Sequence, residues 1–276
     1  MSGKVYFGTL EKMQWVKAPA TGVNLGREGW IDTQTDLSGG SYAHQSAWGA
    51  KRFEFSWGAS PSDEVYAITD YRSGVWGSGL LYYVDPFAMD ANVLPDNFSI
   101  PWKLKVMSRM GYDASLTPVD ALPTVRNLPR GYRFFLGQVS PWVTIPIPPG
   151  YTLHVAYSAT TNALQRRYPN NTTGTVTATT AAAANWTWTA FNSTSYAHIA
   201  LRWSPTASTD IYGAIAVLLP TGQSPAVNKP WCLGRGNWGL AFAGEPQISG
   251  ISAALGDSGG LVSGSVSLLE VGLDRN

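Results

Sequence analysis

The sequence predicts an all-β protein, on three observations. Glycine and proline punctuate the chain, with 29 and 18 of its 276 residues. No window keeps apolar residues at i, i+3, i+4 and i+7 for three turns, as an amphipathic helix requires. Short runs of β-branched and aromatic residues lie between the turn residues instead. The first, Arg52-Phe-Glu-Phe-Ser-Trp57, alternates apolar with polar, the mark of a strand with one wet face. Runs at 65–68 and 80–84 follow as short strands. A single helix is expected over 101–109, where Pro101 suits the first turn. Further strands are expected at 142–145, 151–157, 175–179, 198–203, 214–219 and 266–271. Pro148-Pro149-Gly150 fits the central positions of a tight turn, so 142–147 and 151–157 read as a hairpin. The turn residues of 205–210 join 198–203 to 211–219 in the same way.

Charge divides the chain. Up to Asp120 there are 13 acidic and 10 basic residues, and afterwards 5 and 9. No acidic residue lies between Asp120 and Asp210. The proline-rich stretch around the change reads as a linker, because proline stiffens a chain and blocks strand pairing. The expected organisation is a β domain over 1–118, a linker over 119–130 and a β-sandwich over 131–242. A Gly/Ser-rich arm with a terminal strand occupies 243–276.

Composition narrows the function. A net charge of +1 with 13% charged residues argues against a nucleic-acid binder that works by neutralising phosphates. The single Cys232 excludes an intramolecular disulfide and a cysteine-rich zinc site. Residues 1–21 lack the apolar core of a secretory signal, and the apolar run 211–220 is too short to cross a bilayer as a helix. A soluble protein is expected. Few charges beside 12 Trp, 13 Tyr and 9 Phe point to a surface partly covered by neighbours.

Each motif has a functional and a bland reading. Gly256-Asp-Ser258-Gly-Gly260 matches the nucleophile segment of chymotrypsin-like proteases, and His44 precedes it in that family's order. His44 sits in Ser-Tyr-Ala-His-Gln-Ser, and only 18 residues follow Ser258, too few to complete the substrate pocket. A Gly-rich turn is the better reading. His44, His154 and His198 show no paired-ligand spacing, so no metal or cofactor is expected. Gly74-Val-Trp-Gly-Ser-Gly79 lacks the Lys-Ser/Thr of a phosphate loop. The carboxylate pairs Asp32/Asp36, Asp63/Glu64 and Asp85/Asp90 lie beside turn residues, where Asp caps turns more often than it catalyses. Asn185-Trp-Thr-Trp-Thr189 sets Trp186 and Trp188 on one face of a strand, and Trp203 follows in the same half. An exposed face of that kind stacks sugars. The competing reading, a buried face of the sandwich, is preferred.

Several segments resemble a known family. Phe7-Gly-Thr-Leu-Glu-Lys-Met13-Gln-Trp15-Val16, Gly39-Gly40, Arg52-Phe-Glu-Phe-Ser-Trp57 and Tyr71-Arg-Ser-Gly74-Val-Trp-Gly-Ser-Gly79 are similar to minor tail proteins of siphophages that infect actinobacteria. Asp85-Pro86, Asn92-Val-Leu-Pro95 and the closing Val266-Ser-Leu-Leu-Glu-Val-Gly272 add to it. The best match is the distal tail type. The resemblance implies an N-terminal belt-like domain that closes into a hexameric ring between tail tube and tip. It also implies a galectin-like or carbohydrate-module-like β-sandwich beyond it. Expected partners are further copies of the chain, the tail tube protein, the tape measure and tail tip proteins, with host surface glycans as a further ligand. The protein would be made in the host cytoplasm and carried in the virion at the tail tip. No nucleic-acid contact, membrane insertion or catalysis is expected. The alternative is a cell-envelope carbohydrate-binding protein, with a glycan hydrolase or serine protease ranked below it.

Overall fold

The computed structural model describes residues 4–19, 23–28, 31–35, 41–45, 50–77, 79–102, 104–108, 113–114, 116–119, 130–180, 185–227, 233–252 and 260–271. The chain forms two compact units, both discontinuous in sequence. One combines residues 15–78 with 240–271, the other 5–14 with 79–239. The fold is all-β, with several antiparallel sheets and two short helices among the described residues. The division differs from that expected at 118 and 242. Residues 79–118 belong with the second unit, and 240–271 with the first. Residues 120–129 of the expected linker lie outside the described residues. Pro118 itself stands in Thr117–Val119, the edge strand of a sheet, where a missing N–H costs no ladder bond.

In the first unit the strand Ala50–Pro61 buries Phe53, Phe55 and Trp57 and turns Arg52, Glu54 and Ser56 the other way. Val23–Glu28 pairs with one edge of it and Leu261–Glu270 with the other, in the register Val266↔Phe55. The far edge of Leu261–Glu270 takes Gln247–Ser252 along its first half and Leu240–Phe242 at its end. The expected C-terminal arm is therefore the centre of a sheet over 261–270. Val262, Val266 and Leu268 supply the buried face that makes it one.

The run 65–68 is helical, within Ser62–Arg72. Val65, Ile68 and Tyr71, three apart, are its buried stripe, and Pro61 and Asp63 favour a helix start. Val65 lies against Gly264, where a Cβ would come within 3.1 Å of Val65 Cγ1. The helix expected over 101–109 does not form among the described residues of that range. Val106 is fully buried in the two-residue strand Val106–Met107, and Met107 and Val139 exchange backbone hydrogen bonds of 2.8 Å.

The second unit contains two larger sheets. Five strands run in the order Thr117–Val119, Gly131–Phe134, Thr209–Pro220, Tyr151–Ala159, Thr189–Asn192. Four run Val143–Pro146, His198–Trp203, Leu164–Arg167, Thr173–Thr175. The expected strand 175–179 ends at Thr175, although Thr179 still bridges Ser158. Neither expected hairpin pairs its own arms. The turn at Pro148-Pro149-Gly150 forms, with Tyr151 N donating to Pro148 O at 3.0 Å and Gly150 at φ +82°. The strands it joins then enter different sheets, Val143–Pro146 beside His198–Trp203 and Tyr151–Ala159 beside Thr209–Pro220. The connection at 205–210 crosses likewise. Turn chemistry dictates that the chain reverses; packing decides which strands pair.

The flank of Thr209–Pro220 beyond its short pairing with Gly131–Phe134 is closed by residues 89–99. Leu218 N donates to Met89 O and Val93 N to Ala216 O, at 2.6 and 2.9 Å. Between them the fully buried Asn92 stands in for a strand. Its amide donates to Ser99 Oγ (2.9 Å) and Ala214 O (3.2 Å), and its Oδ1 accepts from Leu94 N (3.2 Å) and Ala216 N (3.0 Å). Gly234 and Gly236 lie so close to this segment that a Cβ on either would collide with the Val93 or Leu94 carbonyl oxygen.

Candidate functional site

Strand alternation fixes where each aromatic candidate falls. Trp203 points between the two sheets and is fully buried. Its ring stacks on Phe98 at 5.3 Å, meets Tyr157 of the five-stranded sheet edge-on at 5.6 Å and lies 6.3 Å from Phe134. Its Nε1 donates to Phe98 O at 3.1 Å. Trp203 is a core residue and offers no face to a glycan. Trp186, 5% exposed, packs with Ala156, Ile215 and Val217. The half-buried Trp188 leans on it, 6.4 Å between ring centroids. Both precede the strand Thr189–Asn192, in a segment held by Trp186 N to Val227 O and Thr187 N to Thr179 Oγ1. The pair seals one face of the five-stranded sheet and does not form an open stacking platform.

The other candidates sort by geometry. His44 stands opposite Asp32 in the Ile31–Thr35/Ser41–Gln45 ladder, while Ser258 and Asp36 lie outside the described residues. Asp85 Oδ1 accepts from Phe87 N at 2.9 Å and so holds a turn, the bland reading of that carboxylate. Asp63 belongs to the first turn of a helix. Gly74 and Gly77 take φ of +77° and +98° in the turn that follows that helix. Among the described residues no group of three His, Cys, Asp or Glu could hold a metal.

His154 is buried on the Ala156 side of its strand, and its Nε2 has no hydrogen-bond partner among the described residues. Burial pushes its pKa below the ordinary imidazole value, against the opposing effect of a backbone hydrogen bond at Gln223. Burial, and secondarily the Arg167 cation, lower that of His198. Both rings are thus more readily protonated in the unfolded chain than in the folded one. The unfolded state takes up more protons, so stability is full above the unfolded value of about 6.5 and falls as pH drops below it. Thermal melts between pH 7 and pH 5 should show a falling midpoint, and a His154→Gln/His198→Gln double variant should flatten that slope. An equal slope in the variant would remove the histidines from the account.

One constellation escaped the sequence. On the outward face of the four-stranded sheet, Arg167 pairs with Ala200 and Gln165 with Arg202, which sets the two arginines diagonally on one side. Both guanidinium carbons approach the Trp142 ring, Arg202 at 4.4 Å and Arg167 at 4.7 Å from its centroid. Arg202 Nε donates to Gln165 Oε1 at 3.0 Å. The signal was the spacing Gln165/Arg167 and His198/Ala200/Arg202 within the acid-free stretch, but neither spacing reveals that both cations meet the Trp142 ring. Asp210, which ends that stretch, is gripped by Arg133 at 2.6 and 2.9 Å. On the other side of the same strand, Arg166 lies over Tyr168 and Phe191.

No family model, curated protein or solved structure matches the chain.

Proposed function

We propose that the chain is a structural protein of a siphophage tail tip, of the distal tail type. Copies of it close into a hexameric ring that joins the tail tube to the tip. The first unit supplies the belt of that ring, and the two-sheet unit is its galectin-like or carbohydrate-module-like sandwich. Partners are the tail tube protein, the tape measure and tip proteins, with assembly from the host cytoplasm into the virion. One observation carries the reading. Two of the segments that resemble tail proteins, 52–57 and the described start of 266–272, are distant in sequence yet lie in paired strands, Phe55 opposite Val266 and Phe53 opposite Leu268. Two parts of the resemblance thereby fall into one sheet. Asn92-Val-Leu-Pro95, another such segment, hydrogen-bonds the flank of Thr209–Pro220. The carbohydrate-binding alternative loses its aromatic platform, since Trp186 and Trp203 are core residues.

The test is size and shape. Light scattering and negative-stain images of the purified chain should give a ring of six copies of 29.7 kDa, about 178 kDa. A monomer at every concentration that the protein tolerates would refute the ring.

A further inference from the structure

We propose that the Pro86-Phe87 turn of one copy seats in a groove on the next copy, between the helix Ser62–Arg72 and residues 245–248. The inference rests on the ring proposed above and names the contact that repeats around it. A closed ring needs two different surfaces on each copy, because a contact between like surfaces ends at a dimer. Charge divides the two units in the way such a head-to-tail contact requires. Residues 1–4, 15–78 and 240–271 hold 10 acidic and 6 basic side chains, a net of −4, and this unit bears the groove. The remaining residues hold 8 acidic and 13 basic, a net of +5, and bear Phe87. Opposite units of two copies attract and like units repel. That balance selects a second copy as the occupant and opposes groove-to-groove or turn-to-turn pairing.

Phe87 is 81% exposed, the most of any large apolar side chain among the described residues. Its turn is locked. Ala88 N donates to Asp85 O at 3.0 Å, Phe87 N donates to Asp85 Oδ1 at 2.9 Å, and Pro86 has its φ fixed by its own ring. An aromatic ring held out on a rigid turn gives up little freedom when a partner covers it. The groove is a concavity of about 580 Å³ lined by Thr69, Arg72, Ser73, Glu245, Pro246 and Ile248. That volume holds a phenyl ring together with the tip of its turn. Pro246 and Ile248 are half-buried and supply an apolar floor. Arg72 Nη2 meets Glu245 Oε1 at 2.7 Å, so the rim is a neutral pair that does not repel an apolar side chain. The Arg72 side chain is itself 48% exposed and offers its guanidinium to an aromatic face, a contact that suits Phe87 better than an aliphatic residue.

Light scattering of the full chain at low and high salt tests the contact with two surface variants. Phe87→Ser removes the knob and Ser73→Trp fills the groove. Both positions are exposed, so each variant should melt with the wild type. The wild-type chain should assemble, and high salt should weaken the assembly. Each variant alone should need about tenfold more protein or higher to assemble. At a concentration where the wild type assembles and neither variant does, an equimolar mixture of the two should stop at pairs, because one intact knob meets one intact groove. A wild-type chain that stays monomeric would remove the ring, and this contact with it. A wild-type oligomer that survives both substitutions would leave the ring standing and overturn this contact alone. So would an oligomer lost with one variant but not the other, assembly insensitive to salt, or a mixture that forms no pairs.

Discussion

Replacing Trp203 with alanine should lower the melting midpoint by roughly 10 °C, corresponding to about 3–5 kcal/mol. The ring fills the space between two sheets and touches Phe98, Phe134 and Tyr157. No neighbouring side chain can collapse into that volume without leaving its own strand, so a cavity remains. Trp203→Phe divides the effect. It keeps most of the aromatic contact and loses the hydrogen bond to Phe98 O, at about 1–2 kcal/mol. Scanning calorimetry of both variants checks the pair. An alanine variant that melts with the wild type would show that the ring is not core, and would reopen Trp203 as a ligand contact.

The second large effect is expected at Asn92. Alanine there strips Ala216 N and Leu94 N of their acceptor and Ala214 O of one of its two side-chain donors, all inside the protein. Each buried backbone group left unsatisfied costs about 1–3 kcal/mol, so the substitution should cost about 3–5 kcal/mol in total. Asn92→Asp keeps the shape and the acceptor but cannot donate to Ala214 O or Ser99 Oγ while ionised. It should be at least as damaging at pH 7 and partly recover in acid, where the protonated carboxyl donates once more. Chemical denaturation at the two pH values measures this. Equal stability of Asn92→Asp at both would mean that the donor function is dispensable.

Strands were legible wherever one face is wet or β-branched residues cluster. The alternation in 52–57 and the apolar run 214–219 both fell inside longer observed strands. Pairing was not legible. Pro148-Pro149-Gly150 encodes a reversal whether its arms stay together or part into two sheets, and only burial on both faces of Tyr151–Ala159 separates the cases. The helix at 62–72 was missed because Val65 and Ile68 look like strand residues when Tyr71 is not counted with them. The preference for core agrees with the burial of Trp186, while Trp188 is half-buried and both precede the strand Thr189–Asn192. The arginine pair was out of reach, because three strands must align before Trp142 meets Arg167 and Arg202. Asn92 gave no signal of its own; a polar residue before Val-Leu-Pro reads as a loop until the unpaired edge of Thr209–Pro220 is known.

The central place of Leu261–Glu270 governs how the protein is made. Pro61 and Leu261 are ladder partners, but 200 residues of chain separate them. At ribosomal speeds of about 5–20 residues per second, Ala50–Pro61 waits roughly 10–40 s for the strand that completes its sheet. During that time its edge is open, and Phe53, Phe55 and Trp57 lack their cover. Residues 79–239 emerge in the interval with nearly all of their own partners and are free to fold first. The first unit is then completed last, as a late step with high contact order. A ribosome that stalls or terminates before residue 261 releases a chain with one sound unit and one exposed apolar sheet, the kind of product that cellular proteases remove.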